Sequence, residues 1–331
     1  MSKAVRFDEF GGPEVLQVRE VEVGDPGPGE LRIRVDAIGL NRAEIMFRTD
    51  AYPDKPRFPG SGLGYEAAGV VEAVGPEVTG FAAGDPVGVV PAFHQSQYGT
   101  YGDHVLVPAA ATVHRPASVP VEKAAAVWMA YITVYGALAE DGFVRPGDHV
   151  LITAASSSVG IAAIQTANRI GAIPIATTRT AAKKQQLVDA GAAHVVVTDD
   201  EDLTLAVKEH TGGAGVRLAF DPIAGPGVEE IARSMAPGGR LVVYGALDPR
   251  PTPLPNAQGF PALSTSTYTL FEVTSDPQRL ARGVAFVNTG LASGALNPVI
   301  DRVFDLEDIV AAHRHMESNT QVGKIVVTVR H

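Results

Sequence analysis

The alternation of hydrophobic and polar positions changes character near residue 125. Before this point, short β-branched runs are separated by turn-forming Gly and Pro clusters, which is typical of a small β-barrel or sandwich. The predicted strands here are Lys3–Phe7, Leu16–Val23, Leu31–Ile38, Gly69–Val74, Pro86–Val90 and His104–Val107. The first third of the chain is therefore expected to be rich in β-structure.

After residue 125, apolar strands alternate with amphipathic helical stretches, and a small-residue helix over Glu122–Leu138 leads into this part. Such alternation predicts an α/β fold with a doubly wound parallel sheet and helices on both faces. The predicted strands are Val150–Thr153, Ile173–Thr177, His194–Val197, Val216–Asp221 and Leu241–Tyr244. The elements that follow are a β-prone run over Leu263–Val273, helices over Asp276–Ser293 and Leu306–Glu317, and strands over Val299–Phe304 and Gly323–Val329.

The stretch Asp148–Gly171 combines a buried strand, a turn of small residues and a helix. This is how a doubly wound sheet presents a helix N-terminus to a pyrophosphate. Serines at 156–158 stand where the usual fingerprint has glycines, although Gly160 is kept for close helix packing. A serine N-cap on an ordinary helix explains the same residues. We predict that Ser157, Ser158 and Val159 contact the cofactor.

The residues after the second of these strands distinguish NAD from NADP. A carboxylate here would hold the ribose 2′-hydroxyl of NAD, but no acid occurs between Asp148 and Asp189. Thr178, Arg179 and Lys183 occupy the place instead, and hydroxyls and cations suit a 2′-phosphate. Alternatively, Arg179 and Lys183 are ordinary solvated cations at the start of a helix. The position, about 20 residues beyond the phosphate turn, favours NADP(H).

Composition excludes several classes of function. The chain has 331 residues, 45% of them hydrophobic, which is enough for two domains. The net charge of −10 argues against nucleic acid or an anionic membrane as a partner. Cysteine is absent, which removes disulfides, thiolate nucleophiles and cysteine-ligated zinc. Because we find neither a signal peptide nor an apolar run of about 18–20 residues, we expect a cytoplasmic protein without a membrane partner.

Six short sequence motifs along the chain suggest a family: LNRAE at 40–44, GYEAAG at 64–69, GDPV at 84–87, GTY at 99–101, TVY at 133–135 and GKI at 323–325. Their order resembles the medium-chain dehydrogenase/reductase superfamily over essentially the whole chain, and most of all its zinc-independent quinone oxidoreductases. The resemblance implies a GroES-like catalytic domain at 1–125 and a Rossmann NADP-binding domain at 126–265. Residues 266–331 would form a C-terminal return, an edge strand followed by completion of the catalytic domain.

The resemblance also bears on metal binding. Zinc members carry Cys where this chain has Asn41 and His where it has Tyr65, before the retained Glu66, and they have a four-Cys lobe. Asn and Tyr are not normal zinc ligands. His313 and His315 form the one close histidine pair, and on a helix they would point to different faces. We therefore expect no metal, and we expect Glu66 to be structural and bonded within its turn.

The activity implied by the resemblance is hydride transfer from NADPH to a quinone or an activated α,β-unsaturated carbonyl. It implies Asn41, Glu44 and Tyr52 as the catalytic residues. A phenol at Tyr52 would donate a hydrogen bond or a proton, and a pocket wall is the alternative. The resemblance also implies cofactor contacts at Thr133, Tyr244, Gly245 and Lys324. The alternative for Thr133 is a packing role in its helix, and the alternative for Lys324 is an ordinary surface lysine.

Two loops are expected to shape the acceptor pocket: the proline-rich segment Asp248–Ser266 and the segment Pro91–Tyr101. Asp199 and Asp200, after the third strand of the doubly wound sheet, would disfavour a phosphate unless they turn to solvent. Tyr131 is a further candidate for the pocket wall. The aromatic candidates for stacking on the acceptor are Phe93, Tyr98, Phe260 and Tyr268, and each is equally compatible with a core or rim position.

The run Leu263–Val273 has the character of an edge strand, and members of this superfamily usually pair through such an edge. Natural proteins seldom leave a long edge unpaired, so we predict a homodimer with a sheet continuous across the two-fold axis. Two other functions stay open. One is an enoyl-thioester reductase, which would need a cationic surface for its substrate, and the other is a non-catalytic NADPH-binding protein.

Overall fold

The structure is a computed structural model that describes residues 1–116, 118–255 and 259–331. Its strands are β1 (Ser2–Arg6), β2 (Gln17–Val21), β3 (Glu30–Gly39), β4 (Glu66–Val74), β5 (Pro86–Val89), β6 (His104–Pro108), β7 (Thr112–His114), β8 (His149–Ile152), β9 (Ile173–Thr178), β10 (His194–Val197), β11 (Val216–Asp221), β12 (Met235–Val243), β13 (Leu263–Thr267), β14 (Ile300–Asp305) and β15 (Lys324–Thr328).

Its helices are α1 (Arg42–Arg48), α2 (Val121–Ala124), α3 (Trp128–Val134), α4 (Ser158–Arg169), α5 (Lys184–Asp189), α6 (Leu203–His210), α7 (Val228–Arg233), α8 (Phe271–Thr274), α9 (Pro277–Ser293) and α10 (Ile309–Glu317). A π-helical turn, Tyr135–Ala139, continues α3. The chain forms two compact units. Unit 1 comprises Met1–Ala130, Val273–Ala292 and Pro298–His331, and unit 2 comprises Tyr131–Glu272 and Ser293–Asn297.

Unit 2 is built on a six-stranded parallel sheet in the order β10-β9-β8-β11-β12-β13. Numbered within the sheet by chain order, this is 3-2-1-4-5-6, the order of the Rossmann fold. Chain order reverses between β8 and β11, and this reversal creates a crevice at the carboxyl ends of the two strands. The predicted doubly wound α/β sheet is therefore confirmed.

The strands of unit 2 are apolar along their length because helices cover the sheet. Leu151, Ile175 and Leu241 are fully buried in the same hydrophobic cluster as Val207 of α6 and Val228 of α7. Each such side chain contributes about 1.5–3 kcal/mol through burial. This packing holds the carboxyl ends of the strands in place, where the candidate cofactor residues lie.

Unit 1 contains a seven-stranded sheet in the order β14-β15-β3-β4-β5-β7, in which β6 also pairs with β3. β1 and β2 form a separate antiparallel pair. Along β3, buried and partly exposed residues alternate, as expected for a strand with one face toward the core. β15 pairs antiparallel with β3, with Val326 opposite Gly39, so the C-terminal segment completes the N-terminal sheet.

The single helix predicted over Glu122–Leu138 is wrong. The structure has α2, three non-helical residues, α3 and the π-helical turn instead. The break falls beside Gly39, where a Cβ would lie 1.9 Å from the carbonyl oxygen of Ala125. This close approach of two backbone segments is possible only because residue 39 is a glycine.

The β-prone run Leu263–Val273 is a strand only as far as Thr267, and α8 begins at Phe271. Thr269 and Glu272 form a reciprocal pair: Glu272 N donates to Thr269 O at 3.1 Å, and Thr269 N donates to Glu272 Oε1 at 3.4 Å. This is half of a capping box, which starts a helix and so ends the strand early. Of the predicted loop Asp248–Ser266, residues 248–255 are irregular, 256–258 lie outside the described residues, and 263–266 belong to β13.

Candidate active site

Asn41 is the N-cap of α1, directly after the end of β3. Its backbone N–H donates to Glu44 Oε2 at 2.6 Å, the contact that a carboxylate makes at the third position of a capping box. Glu44 Oε1 also accepts from the backbone N–H of Tyr65 at 3.3 Å. The fully buried Glu44 therefore ties the start of α1 to the chain just before β4.

Lys324, the first residue of β15, is 1% exposed although it carries a charge. Its Nζ lies 2.5 Å from Asn41 Oδ1 and 2.6 Å from Glu66 Oε2. Glu66 is also fully buried, and its Oε1 accepts from the backbone N–H of Met129 at 3.3 Å. The ion pair compensates two charges that would otherwise be costly to bury.

Two expectations about this cluster are corrected by these contacts. Glu66 is not bonded within its own turn, because its partners Lys324 and Met129 are 258 and 63 residues away. Lys324 is not a surface lysine, the alternative considered from the sequence. We call Asn41, Glu44, Glu66 and Lys324 the buried polar cluster.

The electrostatics of the buried polar cluster are set by burial and by one cation. Burial raises the pKa of Glu44 to about 7, against the attraction of Lys324 and the hydrogen bonds from Asn41. The cluster contains two carboxylates and one ammonium group. Glu44 can therefore take up or release a proton near neutral pH.

Tyr52 lies in the loop after α1 and is half-buried. Its ring centroid is 6.2 Å from that of Tyr65, in an edge-to-face arrangement. Burial raises the pKa of Tyr52, so the phenol keeps its proton at neutral pH and can act as a donor. Phe93 is buried 5.6 Å from Tyr65, and the three rings form one aromatic surface.

Tyr98 does not join the buried polar cluster. Its hydroxyl donates to Glu30 Oε1 at 2.8 Å. It lines a cavity of about 580 Å³ together with Arg6 and His104, and Asn41, Glu44 and Tyr52 are not among the described residues that line it. The other aromatic candidates belong to unit 2: Tyr268 is buried, and the Phe260 ring lies 5.2 Å from the Arg233 guanidinium.

In unit 2, the turn between β8 and α4 is tightly built. Ala154 has a φ of 46°, in the left-handed region. Ser157 is the N-cap of α4, and its Oγ accepts from the backbone N–H of Gly160 at 3.0 Å. A Cβ on Gly160 would lie 2.5 Å from the carbonyl oxygen of Ala155, so the turn requires a glycine there. The N-cap interpretation of the serines is correct for Ser157.

A phosphate group fits the same turn. Ser158 and Val159 begin α4, and the N–H groups of a first helical turn have no carbonyl partner within the helix. Lys183 Nζ donates to Ser156 Oγ at 3.3 Å, which places an ammonium group on the turn. A helix N-terminus with an adjacent cation is suited to an anion.

The end of β9 fits a ribose 2′-phosphate. Thr178 is half-buried there, and Arg179 is exposed. Asp199 and Asp200 are both exposed, so these acids do face solvent, as a nearby phosphate requires. Cations and hydroxyls without a competing buried acid match the groups expected for NADP(H).

Asp221 was missed by the sequence reasoning, although an acid that ends the apolar strand VRLAFD is a visible signal. It is buried at the end of β11, where its carboxylate accepts from Thr153 Oγ1 and from the backbone N–H of Ala224, the latter at 2.7 Å. Burial raises its pKa. These bonds join the carboxyl ends of β8 and β11, where the strand order reverses.

The remaining predicted cofactor residues also lie in unit 2. Thr133 is buried in α3. Tyr244 follows β12, and its ring stacks on Phe220 at a centroid distance of 3.9 Å. A Cβ on Gly245 would lie 2.6 Å from the carbonyl oxygen of Pro222. Tyr131 does not offer a free hydroxyl, because it donates to Gln165 Oε1 at 2.7 Å.

The site residues predicted from the sequence therefore form two groups. Unit 1 brings Asn41, Glu44 and Lys324 into one buried cluster, with Tyr52 connected to it through Tyr65. Unit 2 contains the others: Thr133 in α3, and the rest at the end of β9 or in the segments that follow β8, β9 and β12. Their roles toward cofactor and acceptor stay predictions.

In the part of the chain that the structure describes, no group of three or more His, Cys, Asp or Glu side chains is placed to hold a metal ion. Among the same residues, no helix has both the length and the hydropathy to cross a bilayer.

The Rossmann strand order and the tight turn between β8 and α4 are typical of nucleotide-dependent dehydrogenases and reductases. Residues 27–117 match the family described as alcohol dehydrogenase GroES-like domain, and residues 190–327 match the family described as zinc-binding dehydrogenase. The predicted GroES-like domain is thereby confirmed.

Similarity to individual proteins assigns the chain to a more specific family. The chain is 31% identical to the quinone oxidoreductase of Pseudomonas aeruginosa, over 99% of both chains. It is 37% identical to quinone oxidoreductase 1 of Escherichia coli, over 74% of this chain and 73% of that protein. A crystal structure of Escherichia coli quinone oxidoreductase complexed with NADPH superposes with a TM-score of 0.89 at 30% identity, over 98% of this chain and 99% of that one. The chain belongs to the quinone oxidoreductases of the medium-chain dehydrogenase/reductase superfamily, and it is an oxidoreductase.

Proposed function

We propose that this oxidoreductase transfers hydride from NADPH to a quinone or an activated α,β-unsaturated carbonyl, without zinc. The observation that carries the proposal is the similarity, over nearly the whole length of both chains, to a quinone oxidoreductase that was crystallised with NADPH. The phosphate-binding turn and the cations near it support the choice of NADP(H).

The cofactor would be held by unit 2. Ser158 and Val159 offer backbone N–H groups to the pyrophosphate, beside the N-cap Ser157. Lys183 and Arg179 offer cations to the 2′-phosphate, and Thr178 a hydroxyl. Thr133, Tyr244 and Gly245 are the further proposed contacts in unit 2, and Lys324 of unit 1 is also proposed as a cofactor contact. When bound, the cofactor supplies the hydride.

The residues of unit 1 act on the acceptor. Tyr52 is proposed to donate a hydrogen bond to the acceptor oxygen, and for an enone also a proton that solvent then restores to the phenolate, since a phenol is protonated at neutral pH. Asn41 is proposed to orient the acceptor oxygen with the Nδ2 hydrogen that otherwise goes to Glu44 Oε1 at 3.3 Å, and Glu44 to hold Asn41 in place through the bond to its backbone N–H. The aromatic surface of Tyr52, Tyr65 and Phe93 would exclude water from a planar acceptor.

The proposal of a zinc-independent reaction rests on the chemistry of the residues present. Asn41 and Tyr65 are not normal zinc ligands. The carboxylate of Glu66 is paired with Lys324, so its charge is compensated without a metal ion. The ammonium group of Lys324 therefore supplies a cation beside Glu66 that a chelator such as EDTA cannot remove.

We also propose a cytoplasmic homodimer. β13 is an edge strand of the unit 2 sheet, and four of its five residues are exposed. A second copy pairing along this edge would satisfy its backbone groups. The dimer and the reaction are separate proposals, since the groups proposed for the reaction do not include β13.

The function is tested by following NADPH oxidation with four acceptors: 1,4-benzoquinone, 9,10-phenanthrenequinone, a simple enone and crotonyl-CoA. Turnover of a quinone or the enone well above that of crotonyl-CoA is expected. Crotonyl-CoA as the preferred acceptor would indicate an enoyl-thioester reductase. Tight NADPH binding without turnover of any acceptor would indicate a non-catalytic NADPH-binding protein.

A further inference from the structure

The amide of Asn41 has a fixed orientation in the structure. Its Oδ1 accepts from Lys324 Nζ at 2.5 Å. Its Nδ2 donates to the carbonyl oxygen of Gly39 at 3.1 Å and to Glu44 Oε1 at 3.3 Å. Because oxygen and nitrogen each face partners of the matching type, rotating the amide by 180° would turn its NH₂ group toward an ammonium.

The chain is built to bring Lys324 to this place. A Cβ on Gly39 would lie 2.8 Å from Lys324 Cε, so the glycine leaves room for the lysine stem. Gly323, with a φ of 91°, precedes the lysine in a conformation that other residues rarely adopt. The backbone N–H of Lys324 then donates to the carbonyl oxygen of Val299 at 2.8 Å. These constraints fix both ends of the side chain.

Glu66 holds the ammonium group in place. The Lys324–Glu66 pair has side-chain exposures of 1% and 0%, so water does not compete with it. The second carboxylate oxygen of Glu66 is used by the Met129 N–H, which leaves the carboxylate little freedom to turn. The ammonium group of Lys324 is therefore held between the Glu66 carboxylate and the Asn41 amide oxygen.

We propose that Lys324 is a positioning residue for the reaction: held by Glu66, it fixes the orientation of the Asn41 amide together with Gly39 and Glu44. This inference rests on the proposed function, in which Asn41 orients the acceptor oxygen. It gives Lys324 a role that acts through Asn41 in place of the cofactor contact proposed for it, and KM for NADPH distinguishes the two roles. Lys324→Met keeps the length of the stem and removes the ammonium, so the Asn41 oxygen loses its donor and the amide is held only through Nδ2, by Gly39 and Glu44.

The test is a double-mutant cycle of Lys324→Met and Asn41→Ala, with kcat for the best acceptor and KM for NADPH as readouts. Each single variant should lower kcat about 10- to 100-fold, the size expected for one charge-assisted bond. The double variant should fall no further than the worse single variant, because both changes remove the same interaction. KM for NADPH should stay within about threefold in all four proteins.

Arg48→Met is the matched control, since Arg48 is a second fully buried cation of unit 1 and pairs with Glu317 at the other end of α1. It should lower the urea midpoint but leave kcat unchanged. If Lys324→Met does not fold, Glu66→Gln replaces it in the cycle, because it removes the charge that pins Lys324 at constant shape.

The positioning role would be overturned if the kcat losses of the two single variants multiply in the Lys324→Met, Asn41→Ala double variant. It would also be overturned if Lys324→Met leaves kcat unchanged. A rise in KM for NADPH with kcat preserved would also overturn it and assign Lys324 to the cofactor alone. If the parent protein reduces no quinone or enone, the proposed function fails first, and this inference fails with it. An active parent with additive losses contradicts this inference only.

Discussion

The carboxylate of Glu44 accepts a hydrogen bond from the backbone N–H of Asn41 at 2.6 Å while its side chain is fully buried. Two opposing effects act on the pKa of this carboxylate. Removal from water favours the protonated form, whereas the N–H donors and the ammonium of Lys324 favour the ionised form. Burial is the larger effect and raises the pKa of Glu44 to about 7.

Stability should therefore depend on pH through Glu44. Its pKa is raised in the folded state from 4.5 to about 7, so the folded protein binds a proton more tightly than the unfolded chain does. The free energy of unfolding should fall as pH rises from 4.5 to 7, by at most about 3 kcal/mol, and then level off. Urea denaturation of the parent and of Glu44→Gln at pH 5 to 8 measures this difference.

The comparison with Glu44→Gln cancels other titrating groups. Burial lowers the pKa of His313 to about 3, which makes stability fall as pH drops below 6.5 in both proteins alike. Only the difference between the two pH curves reports on Glu44. Parallel curves over this range would show that Glu44 does not titrate near neutrality.

The cations of the phosphate site should select NADPH over NADH. Arg179→Ala should weaken NADPH binding by roughly 1.5–3 kcal/mol for the lost charge-assisted bond and leave NADH binding unchanged. Lys183→Ala should weaken NADPH binding by as much and NADH binding by less, because Lys183 Nζ also lies on the turn proposed for the pyrophosphate. Titration calorimetry with both cofactors measures this. Lys208→Ala, an exposed lysine at the end of α6, is the control for the loss of one charge in the same unit. Equal affinity of the parent for NADPH and NADH would contradict the assignment.

Tyr52→Phe should separate two types of acceptor. The change removes the hydroxyl and keeps the ring, so kcat for an enone should fall by ~10²–10⁴-fold. A quinone is more easily accommodated as an anion and should be affected much less, which makes the enone-to-quinone ratio the quantity to measure. Tyr65→Phe controls for loss of the neighbouring hydroxyl. A ratio that stays within about threefold of the parent would mean that Tyr52 only lines the pocket.

The exposed edge of β13 should make the protein a dimer in solution. Light scattering should give twice the chain mass of 34.6 kDa at micromolar concentration. Thr267→Lys places a charge on the exposed edge, where it should block pairing without loss of monomer stability. A parent protein that is monomeric at this concentration would refute the dimer.

The doubly wound sheet was predictable from the sequence because buried parallel strands are uninterrupted apolar runs between helices. Val216–Asp221 and His194–Val197 have the same bounds in sequence and structure. The helix over 122–138 was mistaken because its composition is helical throughout, whereas its break follows from a contact between Gly39 and Ala125, which are far apart in the sequence. Thr269–Glu272 carried a readable capping signal that was overlooked.

The site was predictable only in part for the same reason. The turn at Ser157 and the cation Lys183 lie within one β-α-β segment, so their spacing alone brings them together. The bond between Lys324 and Glu66 joins residues 258 positions apart, and it depends on how β15 returns to β3. Neither composition nor periodicity contains that information. Burial then gives Glu66 a role that its local sequence does not reveal.

The central claim is that NADPH reduces a quinone or enone on this chain without a metal ion. The most direct measurement is NADPH oxidation with 9,10-phenanthrenequinone and a simple enone on protein treated exhaustively with EDTA, with the zinc content of the same sample determined by elemental analysis. We predict full activity with at least one acceptor at far less than one zinc per chain. Loss of activity on EDTA treatment, restored by stoichiometric zinc, would contradict the account.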